Sequence, residues 1–282
     1  MRAVRAELTV RTEMIDDPSD PRVADYRDLT DADLRRRRGL FVAEGREIVG
    51  RLLAGGRFRA RSVLLTAPAL DGLRNRLAAA RSDVRVYLAR PEIVHAVVGF
   101  KFHLGCLAVG ERGIAAPPAA LIDPAGPRLL VVLDDITNPD NVGGIFRNAV
   151  AFGADGVLLS ARCADPLYRK TIRVSVGGAL AVPFCRLEAW REGLGRLREC
   201  GYTIVALTPS APTDITEFGA SRSVPERLAL VLGAEDHGLR PETRGHADVE
   251  VSIAMAPGAD SLNVATASGI ALHRLRHRGG VT

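Results

Sequence analysis

Asn141-Val142-Gly143-Gly144-Ile145-Phe146-Arg147 is the stretch that decides how this 282-residue chain is read. An apolar run, Leu129 to Leu133, stops at Asp134-Asp135, and Asn138-Pro139-Asp140 then turns the chain. Val142, Ile145, Phe146, Ala149 and Val150 follow at helical spacing, which places them on one face and turns Arg147 to the opposite side. The segment reads as a strand, a tight turn and a glycine-bearing helix that holds up one arginine. Such a guanidinium can grip a phosphate with a planar, multi-donor fork, and a solvated arginine at a helix start is the plainer alternative.

Outward from this stretch, the C-terminal half alternates strands with helices. Strands are expected at Leu129–Leu133, Gly156–Leu159, Tyr202–Leu207, Leu228–Leu232 and Val249–Ile253, and a last helix from Asn263 to about His277. That helix turns Val264, Ala267, Ala271, Leu272 and Leu275 inward. Alternation of this kind implies an α/β fold with a largely parallel sheet covered on both faces. Upstream, Phe41 to Val109 reads as a smaller α/β unit. An apolar helix face (Ile48, Val49, Leu52, Leu53) stops at Gly55-Gly56, and strand and helix signals alternate as far as Leu104–Val109. Pro117, Pro118, Pro124 and Pro127 mark a stretch with little periodicity. The expected division is therefore residues 1–112, a linker at 113–127, and 128–282.

Composition narrows the class. The net charge is +5 and Lys101 and Lys170 are the only lysines, so the positive excess is carried by arginine. A mild excess is compatible with nucleic acid without establishing it. Arg35-Arg36-Arg37-Arg38 is the sharper feature: four adjacent guanidiniums suit nucleic-acid phosphates, and a solvated helix end is the alternative. No apolar run approaches the roughly 20 residues of a membrane span. The N-terminus lacks the apolar core of a signal peptide. Cys106, Cys163, Cys185 and Cys200 are scattered without a CxxC pair, which suits thiols in a reducing cytoplasm and not a zinc site or disulfide frame. No metal is expected. No GxGxxG or Walker loop follows an early strand, which argues against a Rossmann dehydrogenase, an ordinary Rossmann methyltransferase and a P-loop enzyme.

Three further segments join the first: Arg169-Lys170-Thr171-Ile172-Arg173-Val174-Ser175-Val176-Gly177-Gly178, Leu232-Gly233-Ala234-Glu235-Asp236-His237-Gly238-Leu239, and Ser261-Leu262-Asn263-Val264-Ala265. In this order and spacing they resemble the SpoU/TrmH family of RNA ribose 2′-O-methyltransferases, of the knotted SPOUT class, over about residues 128–278. Phe41-Val42-Ala43-Glu44-Gly45-Arg46 is similar to the family's N-terminal, L30e-like substrate-binding domain. The resemblance implies a deep trefoil knot, one of the rare exceptions to unknotted topology. It also implies S-adenosylmethionine bound in that knot, with Leu207, Gly233, Ile253 and Leu262 at the cofactor positions.

Asn141, Arg147, Glu235, Ser261 and Asn263 match the family's polar site positions, and Arg173 and Ser175 its RNA-facing segment. Proposals for the family include the arginine as the base that takes the 2′-hydroxyl proton. A guanidinium does not deprotonate readily, so binding the adjacent phosphate and stabilising alkoxide character is the more economical role for Arg147. Several of these residues have plain structural uses as well. Asn263 suits an N-cap, Ser261 a turn, Glu235 an arginine pair, and Ile253 and Leu262 a core. His237 stands at a variable position and is assigned no catalytic role. The chain departs from the family pattern at Ala234 (often asparagine), Ala254 (often proline) and Ala265 (often serine). The L30e-like module implies a large-subunit rRNA substrate. A tRNA 2′-O-methyltransferase and a non-catalytic RNA-binding protein with a degenerate pocket are the alternatives. A homodimer is implied, with the first-motif arginine reaching the partner's site.

Overall fold

Every residue of Leu129–Asp134 is buried, because this strand (β6) lies inside a sheet that is covered on both faces. The computed structural model describes residues 10–27, 38–99, 102–220 and 225–275, and the chain divides into two units. One unit holds the described residues up to Ile114 together with Leu167–Leu180; the other holds Ala115–Pro166 and those from Ala181 on.

In the first unit, five strands are β1 (Glu13–Ile15), β2 (Leu40–Glu44), β3 (Arg59–Leu65), β4 (Arg85–Ala89) and β5 (Cys106–Glu111). They form a sheet of order β1-β4-β3-β5-β2, in which β1, β4 and β3 run parallel and β5 is antiparallel to its neighbours. Helices α1 (Arg46–Leu53), α2 (Ala67–Ala79) and α3 (Pro91–Val98) fall where the apolar spacing puts them. Strand β1 has no counterpart among the strands the sequence predicts. It has only three residues and owes its existence to pairing with β4, not to a pattern of its own.

Among the described residues, the second unit carries seven strands in the order β10-β12-β9-β11-β6-β7-β8, with every pairing parallel. These are β6, β7 (Gly156–Ser160), β8 (Phe184–Leu187), β9 (Thr203–Leu207), β10 (Thr213–Asp214), β11 (Leu228–Gly233) and β12 (Val249–Ser252). Strands β8 and β10 are the two edges, of four and two residues, too short to announce themselves by periodicity. Within the stretch read as a linker, Leu121 and Ile122 are buried in this unit's core and Tyr202 donates to the Pro127 carbonyl at 2.7 Å. The prolines had masked an apolar pair that packs.

Helix α4 (Pro139–Phe152) begins as its sequence dictates. Asn138 caps it by accepting from the Asp140 amide at 2.9 Å, Pro139 fills the first turn, and Gly153 ends it at φ 72°. Val142, Ile145, Phe146 and Ala149 are buried, but Val150, expected on the same face, is 41% exposed. It sits at the margin of the apolar stripe. Helix α5 (Val264–Leu275) crosses α4 closely enough that a Cβ on Gly144 would lie 2.6 Å from the Ala265 Cβ. Asn148 pins the crossing by donating to the Ala265 carbonyl at 2.7 Å and to Ser268 Oγ at 2.9 Å. The part of this helix expected beyond Leu275 lies outside the described residues. No helix among the described residues is long and apolar enough to cross a membrane.

Candidate active site

Strands β9, β11 and β12 are parallel and adjacent, so their C-terminal ends fall on one rim, the usual place for ligands on a parallel sheet. A cavity of about 600 Å³ opens there. Leu207 and Thr208 come from the end of β9, Leu232 and Gly233 from β11, and Ile253 and Met255 from beyond β12. Ser261, Leu262 and Asn263, which lead into α5, complete the wall with the Ala234–Gly238 loop. Thus Leu207, Gly233, Ile253 and Leu262 meet in one apolar cavity, together with Glu235, Ser261 and Asn263.

Asn263 connects three of the predicted polar residues. Its Nδ2 donates to Asn141 Oδ1 at 2.9 Å and to Glu235 Oε1 at 2.8 Å. Its Oδ1 accepts from the amides of Ala265 and Thr266 at 3.0 and 3.2 Å, capping α5. The two uses of this residue are not alternatives: the cap holds the side chain in the rotamer that presents its amide to Asn141 and Glu235. Asn141 is buried in the first turn of α4, so the network ties that helix to the loop after β11.

The loop itself is pinned by a reciprocal pair. The Ala234 amide donates to the Gly238 carbonyl at 3.1 Å, and the Gly238 amide to the Ala234 carbonyl at 3.0 Å. Gly238 takes φ 66°, which favours glycine. Gly233 is required for a reason other than ligand approach. A Cβ there would lie 2.4 Å from the Gly238 carbonyl carbon and 2.6 Å from the Leu239 amide nitrogen. The glycine lets the loop fold back on the end of β11.

Arg147 does not line the cavity; it is exposed on α4. Arg173 donates to Glu44 Oε1 at 2.7 Å, and Glu44, at the end of β2, is buried. Ser175 is also buried, donating to the Ile172 carbonyl at 2.9 Å and accepting from the Ala179 amide at 3.2 Å. Both belong to the first unit, and neither lines the cavity. Arg38 pairs with Asp25, while Arg35, Arg36 and Arg37 lie outside the described residues.

Sequence reasoning missed Thr208, Met255 and Arg244 in the cavity wall, which stand outside the quoted motifs. It also missed the ionic frame under the strand ends. Asp134, buried at the end of β6, accepts from the Arg240 amide at 3.0 Å and from Arg240 Nε at 2.5 Å. Asp135 takes φ 57° and accepts from Ser160 Oγ at 2.7 Å and Arg162 Nε at 3.0 Å. Burial pushes the Asp135 carboxyl up, but the Arg162 and Ser160 hydrogen bonds outweigh it and hold the group below the usual carboxylate range. Two acids after an apolar strand were the available signal; their arginines come from distant segments.

Comparison with known proteins places these observations in context. The profile of the SpoU rRNA Methylase family matches residues 128–273. The chain is 38% identical over 273 residues to an uncharacterized tRNA/rRNA methyltransferase of Mycobacterium bovis, covering 94% of this chain and 91% of that protein. It is 34% identical over 197 residues to the 23S rRNA (guanosine-2′-O-)-methyltransferase RlmB of Ralstonia nicotianae, covering 69% of this chain and 78% of that one. Among solved structures, an AdoMet-bound rRNA methyltransferase from Sinorhizobium meliloti aligns with a TM-score of 0.79 at 25% identity, over 94% of this chain and 97% of that one. The SpoU methyltransferase AviRb from Streptomyces viridochromogenes shares the fold, with a TM-score of 0.72 at 24% identity over 89% of this chain and 93% of its own.

Proposed function

The chain belongs to the SpoU rRNA methylase family, and from that premise we propose that it methylates a ribose 2′-hydroxyl of RNA, in 23S rRNA, with S-adenosylmethionine as methyl donor. The observation that carries this reading is the Asn141–Asn263–Glu235 network at the edge of an apolar cavity. The cavity fits the donor: its volume lies in the range of small-molecule sites, its walls are largely apolar (Leu207, Leu232, Ile253, Met255, Leu262), and Glu235 offers a carboxylate to a cationic sulfonium. The donor, when bound, supplies an electrophilic methyl group. Leu207, Ile253 and Leu262 would hold it, and Asn263 fixes the Glu235 carboxylate. The AdoMet-bound Sinorhizobium enzyme supports the choice of donor, and the Ralstonia RlmB supports 23S rRNA and the 2′-oxygen.

Arg147 binds the phosphate next to the target ribose, its exposed fork free to reach RNA. In this reading the enzyme is a homodimer, the Arg147 of one protomer serves the cavity of its partner, and the chain around the cavity forms the trefoil knot. The first unit is an L30e-like RNA-binding module in which the arginines Arg35 to Arg38 and Arg173 serve as phosphate contacts, while the buried Ser175 braces the segment that carries Arg173. The test is to incubate the enzyme and S-adenosylmethionine with ribosomal RNA from a strain lacking the gene, then map 2′-O-methyl groups. One new 2′-O-methyl in 23S rRNA is expected. A methyl on a base, or methylation of tRNA alone, would refute the assignment. Arg147→Ala and Gly233→Val protomers, inactive separately, should recover activity after subunit exchange if the arginine acts across the interface.

A further inference from the structure

Methyl transfer to a hydroxyl needs a proton acceptor, and the site as assigned so far has none. Arg147 is a guanidinium, effectively always protonated. Among the described side chains of the cavity wall, three have ionisable groups: Glu235, Arg244 and His237. Arg244 is a cation tied to Glu250 by two bonds, Nε–Oε1 at 2.9 Å and Nη2–Oε2 at 2.7 Å. Glu235 is already engaged by Asn263. His237 is the remaining one, and a neutral imidazole carries a ring nitrogen that accepts a proton.

Its setting is that of an oriented base. His237 stands near the tip of the Ala234–Gly238 loop, which the reciprocal backbone bonds hold closed. Asp236 Oδ1 accepts from the His237 amide at 2.9 Å and lies 2.6 Å from Nδ1. That contact selects the tautomer with the proton on Nδ1 and leaves the Nε2 lone pair for another partner. His237 is partly exposed, with 44% of its side chain open to solvent, so it can meet RNA at the mouth of the cavity. The other charges on the same wall are Glu235 and Arg244, and Asp236 in turn lies in the field of Arg162. Burial pushes the Asp236 carboxyl up, and backbone and His237 hydrogen bonds outweigh this, so the group stays ionised.

We propose that His237 is the general base of the reaction and Asp236 its positioning residue. This rests on the function proposed above and supplies the group that reading lacks. The 2′-O–H proton passes to Nε2 and the freed oxygen pair bonds the methyl carbon. The carbon–sulfur bond breaks with its pair going to sulfur, leaving S-adenosylhomocysteine and an imidazolium that returns its proton to water. A base of this kind contributes on the order of 10²–10⁴-fold.

The experiment measures single-turnover methyl transfer from about pH 5.5 to 9 in the full-length enzyme and in His237→Gln and Asp236→Asn, across the range in which imidazoles titrate. Wild type should show a rate that climbs through the imidazole range and then levels. His237→Gln should lose about 10²-fold or more and lose that limb, with S-adenosylhomocysteine affinity within about threefold of wild type. Removing the Asp236 charge should release the ring from the tautomer protonated on Nδ1, read directly by NMR of the ring nitrogens in the RNA-free protein, and slow the transfer. His237→Gln retaining its rate, or keeping the same limb, would overturn the proposal while leaving the methyltransferase assignment intact. An unchanged ring tautomer in Asp236→Asn would overturn the role of Asp236. Wild-type protein that methylates no ribose would instead refute the assignment on which this rests.

Discussion

Gly233→Ala tests the site through a single methyl group. The new Cβ would sit 2.4 Å from the Gly238 carbonyl carbon and 2.6 Å from both the Gly238 oxygen and the Leu239 nitrogen. Ordinary carbon contacts begin near 3.5 Å, so backbone must move by about 1 Å. Strand β11 cannot yield, since β6 and β9 pair with it on both sides. The Ala234–Gly238 loop moves instead and gives up its reciprocal hydrogen bonds of 3.1 and 3.0 Å. Two such bonds are worth about 1–3 kcal/mol, and the overpacking adds about 1–3 kcal/mol. Because the displaced loop carries Glu235 and lines the cavity, at least about 1.4 kcal/mol should appear as lost affinity, a tenfold rise in the S-adenosylhomocysteine dissociation constant. Titration calorimetry reads this, with a thermal melt beside it. Gly195→Ala is the control: that glycine lies within the helix Trp190–Glu199 and its Cβ would meet nothing within 4 Å. It should stabilise by about 0.5–1 kcal/mol and leave binding unchanged. Wild-type affinity and melting in Gly233→Ala would refute the argument that the loop closes on this glycine.

Asn263→Asp keeps the helix cap but replaces the amide donor with a carboxylate against Glu235. Methyl transfer should fall by about 10²-fold or more while the melting temperature changes little, whereas Asn263→Ala should also lose about 1 kcal/mol of stability with the cap. A fully active Asn263→Asp would remove the network from the mechanism. Arg147→Ala should abolish transfer with S-adenosylhomocysteine affinity unchanged, and its exposure keeps the stability effect within about 0.5 kcal/mol. Arg147→Lys should remain severely impaired because a point charge lacks the fork; full activity there would exclude a bidentate phosphate contact. Asp135 has a folded pKa held below its unfolded value, so its stabilisation is present above about pH 4 and is lost as pH falls through the lowered folded value. In acid-unfolding curves, Asp135→Asn should lose stability at neutral pH and show a flatter decline below about pH 4. A variant whose acid limb superimposes on wild type would show that Arg162 and Ser160 do not act through this carboxylate.

The elements that sequence alone determined are those whose residues carry their own instructions. β6 and β11 are unbroken apolar runs, as strands buried on both faces must be. Helix α4 has its cap, its proline and its closing glycine in the chain itself. The family was legible for a related reason: backbone-lined sites need particular small and polar residues at set intervals, and those intervals survive in one dimension.

What the tertiary structure decided are the pairings between distant segments. β1, β8 and β10 exist because a neighbouring strand offers hydrogen bonds, and no pattern inside two to four residues encodes that. Leu121 and Ile122 are core only because the second unit closes over them. Asn263 reads as an N-cap or a site residue until Asn141 and Glu235, 122 and 28 positions away, arrive within hydrogen-bond distance and make it both. His237 drew no role from its position in a motif. It acquired one from a neighbouring carboxylate and a shared cavity, because a proton acceptor is defined by what holds one ring nitrogen and what the other can reach.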